Sequence, residues 1–162
     1  MFDSSERLKT EILALLDGMR ASASGRYACV LEPDRILFET PEPEDAAGWG
    51  LRRLIEERSA SIFAIPGGLE TGQEMDDVFG EWEEDEFFLA VINGRVALLV
   101  ACPDAESLRE SAMTPLRALT DRLFRYNQVY RTDPRGRGLF FGRPRLDLVV
   151  VGRAAEPRAG EA

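Results

Sequence analysis

Histidine is absent from the 162 residues of this chain. Its absence removes Ser-His-Asp and Cys-His catalysis, HExxH zinc sites, and any side chain whose ordinary pKa would switch near neutral pH. Lysine occurs once, at Lys9, with no glycine frame before it, so there is no Walker-type phosphate loop. Cysteine occurs twice. Cys29 and Cys102 sit alone in apolar runs far apart, which fits neither a Cys-x-x-Cys motif nor a zinc pattern and predicts buried free thiols. The longest uninterrupted apolar runs, 87–92 and 96–102, are far too short to cross a bilayer as helices. The opening Met1-Phe2-Asp3-Ser4-Ser5-Glu6-Arg7 carries no secretory signal, so the expectation is a cytoplasmic protein without membrane insertion.

What is present is acid. Asp and Glu number 29 against 20 Lys and Arg, a net charge of -9 that disfavours nucleic acid and anionic membranes as partners. The charge is polarised. Positions 70–86 hold nine acidic residues and no basic one, whereas 131–145 hold five arginines and one acid. With 44% hydrophobic residues, the length is that of one domain with a substantial core.

Leu8, Ile12, Leu15, Leu16 and Met19 recur at helical spacing, predicting a helix over 5–20, with Asp3 and Glu6 as a capping-box-like start. Two short strands, 27–31 and 36–40, flank a turn built on Pro33 and Asp34. A second helix over 45–59 presents Ala47, Leu51, Leu54 and Ile55 on one side, and a short strand over 61–65 ends at Pro66-Gly67-Gly68. The acidic stretch reads as a solvated loop or a short helix around Met75, Val78, Phe79 and Trp82. The clearest local signal is Asn93-Gly94, a dipeptide suited to a type I′ turn, between the apolar strands 87–92 and 96–101. Their unbroken hydrophobicity places them at the centre of a sheet covered on both faces. From Pro103-Asp104 a helical region reaches 130, with Leu108, Ala112, Leu116, Leu119, Leu123, Tyr126 and Tyr130 on one face. At Pro115 it must kink, or restart with Thr114 as cap. Positions 131–162 read as an Arg-rich C-terminal extension to a 1–130 domain, with 139–141 and 146–151 as candidate strands and a loose tail from 154.

Without histidine, acid–base roles would fall to carboxylates, Tyr, Lys or Cys. Asp76, Asp77, Glu81, Glu83, Glu84, Asp85 and Glu86 supply enough oxygen for a divalent cation. Their spacing matches no EF-hand loop, and a solvated acidic surface is the favoured reading. Gly67-Gly68 with Gly72 lacks a lysine and is followed by acid, which would repel phosphate. Interleaved Arg, Gly and Phe over 135–143 could stack on single-stranded nucleic acid, but one short copy on an acidic protein better fits an acidic partner or this chain's own acidic loop. No catalytic, cofactor-binding or metal-binding residue is assigned, and no enzyme is expected.

Three segments carry a resemblance. They are the 8–19 helix leading into Tyr27-Ala28-Cys29-Val30-Leu31, the second helix before Ile62-Phe63-Ala64-Ile65, and the hairpin of 88–100 followed by a helix. In this order the chain resembles the Roadblock / dynein light chain family, related to profilin-like and longin folds. The resemblance implies an α+β fold in the order α-β-β-α-β-β-β-α, with a central, mostly antiparallel five-stranded sheet, two helices on one face and one on the other. It departs from the family in its Pro33-Asp34-Arg35 turn, its long acidic stretch and everything from Arg131 onward. The resemblance further implies a homodimer formed through the second helix and the neighbouring edge strand, a partner surface of Gly48, Trp49, Leu51, Arg52, Arg53, Ile55, Glu56 and Ile62, and a scaffold or regulatory role toward a small Ras-like GTPase or a signalling or motility complex. Gly48 and Gly50 would allow close helix contact. A small acidic secretion chaperone that wraps an unfolded effector segment fits the size and charge as the alternative, and an enzyme using carboxylates or a metal ranks third.

Overall fold

A computed structural model of the chain describes residues 3–33, 35–64, 82, 84–92, 96–129 and 146–153. Strands β1 (Tyr27–Glu32), β2 (Arg35–Thr40), β3 (Glu86–Ile92), β4 (Val96–Cys102) and β5 (Leu146–Arg153) pair antiparallel throughout, in the order β2-β1-β4-β3-β5. The helices among the described residues are α1 (Asp3–Ser22), α2 (Ala46–Ala64), α3 (Ala105–Ser111) and α4 (Met113–Val129).

The pleat sorts the strands into two cores. Ala28 and Val30 of β1, Phe88, Ala90 and Ile92 of β3, and Val96, Leu98, Val100 and Cys102 of β4 meet Ile12, Leu16 and Met19 of α1, Leu108 of α3, and Leu116, Leu119 and Leu123 of α4. The alternate set, Tyr27, Cys29, Leu31, Phe87, Leu89, Val91, Ala97, Leu99 and Ala101, faces the side of α2, which contributes Leu51, Leu54, Ile55 and Ile62. β4 is buried at every position, as its continuous apolar sequence requires of a strand covered on both faces.

One expectation is corrected. Residues 61–64 continue α2 and form no strand, so the described residues of 1–130 supply four strands where five were expected. The reason is periodic: Ile62 lies seven residues after Ile55 and eleven after Leu51 on the same buried face, and no turn residue interrupts 59–64. The strand beside β3 is supplied by 146–153, which joins the C-terminal segment to the same sheet. The candidate strand at 139–141, the Asn93-Gly94 turn and most of the acidic stretch lie outside the described residues.

Local chemistry sets the element ends. After α1, Ser24 takes a left-handed φ of 53°, its N–H donates to Ala21 O, and the Gly25 N–H donates to Arg20 O at 2.8 Å. That is a Schellman closure with serine where glycine is usual. A Cβ on Gly25 would lie 3.0 Å from Ala101 O, because the chain enters β1 hard against β4. Asp104 caps α3 through the Ser107 N–H. The break before α4 falls at Ala112, earlier than the expected Thr114 cap; Pro115 then sits in the first turn, where its missing N–H would have had no intrahelical acceptor. In β2 the register slips between Val30↔Phe38 and Leu31↔Ile36, a bulge that turns both Leu37 and Phe38 toward the α1 side.

Candidate functional site

Among the described residues, α2 is the helix that covers its side of the sheet, and directional polar contacts hold it alongside apolar burial. Asp45 starts it: Oδ1 accepts the Gly48 N–H at 2.7 Å and the carbonyl accepts the Trp49 N–H. One turn on, Arg52 Nε donates to Glu39 Oε1 of β2 at 2.7 Å, and the Tyr27 hydroxyl of β1 donates to the same oxygen at 2.6 Å. Near the far end, buried Ser59 donates from Oγ to Pro33 O at 2.8 Å, tying α2 to the β1–β2 turn. The Glu39 bond raises the Arg52 pKa, and burial above all, with the Glu39 bond adding to it, raises that of Tyr27, so this donor stays protonated.

A second polar knot stands at the sheet end nearest the start of α2. Arg26 Nε donates to Asp85 Oδ2 at 2.8 Å and Nη2 to Glu84 Oε2 at 3.2 Å, while Trp82 Nε1 donates to the same Asp85 oxygen at 2.8 Å. The Asp85 side chain is 5% exposed, so this carboxylate is a structural acceptor rather than part of a solvated acidic surface. The Arg26 guanidinium lies 5.8 Å from the Trp82 ring centre, and a Cβ on Gly50 would stand 4.0 Å from Trp82 Cζ3. Hydrogen bonding to Asp85 raises the Arg26 pKa.

Eight residues were expected on the partner surface, and the fold divides them. Leu51, Ile55 and Ile62 belong to the core against the sheet, which corrects their assignment: the helical period that places Trp49 and Arg53 outward necessarily turns these three inward. Gly48 is half-buried in the helix cap, and Arg52 is half-buried on Glu39. Trp49, Arg53 and Glu56 are exposed, Trp49 at 51%. Arg52 lies 5.7 Å from the Trp49 ring centre, which steadies a large aromatic that is otherwise open to water. Together with exposed Ala60, these residues form the row Trp49, Arg53, Glu56, Ala60, with the 4-3-4 spacing of a helix-pairing seam.

The cysteines offer no chemistry here. Cys29 faces α2 and Cys102 faces α1, on opposite sides of the sheet, so they do not pair. Burial pushes the Cys29 thiol far up and that of Cys102 up to about 11, so neither is a thiolate near neutral pH. Among the described residues no group of three or more Cys, Asp or Glu could hold a metal ion, and no helix is long and apolar enough to cross a membrane. Glu39 and Tyr27 carry no sequence signal as polar anchors, and Asp85 reads in sequence only as one of a solvated acidic stretch. The Leu37 bulge hides the orientation of Glu39, and Asp85 meets Arg26 across 59 positions. Comparison with protein-family models, curated proteins and solved structures yields no match for this chain.

Proposed function

We propose that this chain is a non-enzymatic interaction module that works as a homodimer paired through α2. One observation carries the reading: the exposed row of α2 is complementary to itself. In an antiparallel pair centred between Leu54 and Ile55, Trp49 of each copy faces Ala60 of the other, and Arg53 faces Glu56. Large meets small and cation meets anion twice over, which is what an isologous contact requires. Trp and Arg are also the side chains that most often dominate binding energy. Gly50, Glu57 and Ser61 then lie beside the seam as a platform.

The partner class follows from the resemblance to the Roadblock / dynein light chain family, two of whose three supporting segments fold as expected here: the first helix into β1, and the β3–β4 hairpin followed by helix. The paired platform holds a small Ras-like GTPase, and any bond chemistry belongs to that partner's nucleotide site. Light scattering on the purified protein should give a dimer at micromolar concentration, with Trp49→Ala shifting it to monomer, and a GTP-loaded small GTPase should co-elute with the dimer but not with the variant. A wild-type monomer contradicts the dimer; a dimer whose Trp49→Ala form still retains the GTPase contradicts the platform.

A further inference from the structure

The outermost strand next to β3 comes from far along the chain, whereas the other edge strand, β2, follows its partner β1 directly. β3 itself has the sequence of a sheet centre: Phe87, Phe88, Leu89, Ala90 and Ile92 are all buried, and both of its edges are paired, by β4 and by β5. Without β5 the edge of this apolar strand would lie open, a template for another strand. β5 is the last strand of the sheet, pairs within it only with β3, and can leave without disturbing the β4-β1-β2 ladders. The backbone register runs from Glu86↔Arg153 through Phe88↔Val151 and Ala90↔Val149 to Ile92↔Leu146, with one shift between Val91 and Ile92. Residues 130–145, sixteen in number, connect α4 to β5. At about 3.3 Å per residue this connection spans up to roughly 50 Å, far enough to reach a neighbouring molecule. The opposite sheet edge is unsuited to strand addition, since β2 carries the Leu37 bulge and the charged Arg35 and Glu39.

We propose that the outer edge of β3 is a strand-exchange site that takes β5 of a second copy, in a reciprocal, two-fold swap. The occupant is named by fit: residues 146–153 are the one sequence shown to satisfy this edge, and the same strand from another copy makes the same ladder. Because the contacts are conserved, the balance between the closed chain and the swapped pair is set by the local concentration of the tethered strand, and raising protein concentration during folding shifts it toward exchange. This site is independent of the α2 seam.

The test uses two full-length chains, Glu86→Cys and Arg153→Cys, unfolded together, refolded at high concentration and oxidised only after refolding, when Cys29 and Cys102 are buried. A disulfide-linked product of twice the monomer mass, containing one chain of each kind and absent when either chain is refolded alone, is expected. A mixture that stays monomeric, while E86C/R153C on one chain closes its disulfide internally at every concentration, overturns the proposal. A second measurement needs no cysteine. In Trp49→Ala, where α2 pairing is removed, refolding at high concentration should trap a dimer that persists after dilution on the timescale of unfolding; only monomer at every refolding concentration overturns the exchange and leaves the α2 reading untouched.

Discussion

On the α1 side of the sheet, three helices meet the strands mainly through apolar side chains; the polar contacts Thr40 Oγ1 to Asp17 Oδ1 and the Ala105 N–H to Glu86 Oε1 lie at strand ends, and ion pairs such as Glu11–Arg122 stay at the partly exposed rim. On the α2 side, among the described residues, one helix brings four apolar anchors and adds Arg52–Glu39–Tyr27 and Ser59–Pro33, with Arg26–Asp85–Trp82 beside its start. Apolar burial is strong but weakly directional; hydrogen bonds to charged groups are weaker in net terms and fix position. The first layer therefore supplies most of the stability. The second sets the angle and rotation of one helix so that Trp49, Arg53, Glu56 and Ala60 face outward.

The largest effects should come from the α1 side. Phe88→Ala is expected to cost about 3–5 kcal/mol in denaturant unfolding. If Leu51→Ala on the α2 side costs more, the division of labour between the layers is wrong. Next comes Asp85→Ala, which strips two donors of their acceptor: a loss of about 1–3 kcal/mol is expected, with a red shift of the Trp82 emission as the ring loosens. Ser24→Gly should stabilise by about 0.5–1 kcal/mol, because glycine takes the left-handed φ without strain, and a thermal melt reads the gain.

The smallest effect is a pH dependence confined to the α1 layer. Hydrogen bonds from Arg20 first, then Thr40, hold the Asp17 carboxyl below its ordinary range. A lowered folded-state pKa contributes stability above the unfolded value of about 3.9, and that stability is lost as pH falls through the folded value. Wild type should therefore exceed Asp17→Asn in denaturant midpoint at neutral pH, with the two converging below about pH 4.

Legibility in the sequence followed the same division. The α1-side core was readable because periodicity alone specifies it: Ile12, Leu16, Met19, Leu108, Leu116, Leu119 and Leu123 were placed by spacing, and all are buried there. The β3 and β4 strands were equally plain from their unbroken apolar runs. The α2 side was harder. A short apolar run at 61–65 suits strand or helix by composition, and only its phase with Leu51 and Ile55 decides between them. Asp85 sits among acids that read as a solvated stretch, and its burial depends on Arg26 and Trp82 converging in three dimensions. The bulge at Leu37 shifts the facing of Glu39 by one residue, which no alternation pattern reveals. Of the exposed row of α2, the sequence marks Trp49, Arg53 and Glu56, while Ala60, the small residue opposite Trp49, carries no signal of its own.

The proposed pairing of α2 with its own copy through that row is tested most directly by charge reversal. Light scattering should show a dimer for wild type and a monomer for Arg53→Glu, where like charges would face each other across the seam. The dimer should return in the double variant R53E/E56R, which restores opposite charges with their order reversed. A double variant that remains monomeric while retaining the wild-type fold, or an Arg53→Glu protein that stays dimeric, would contradict the claim.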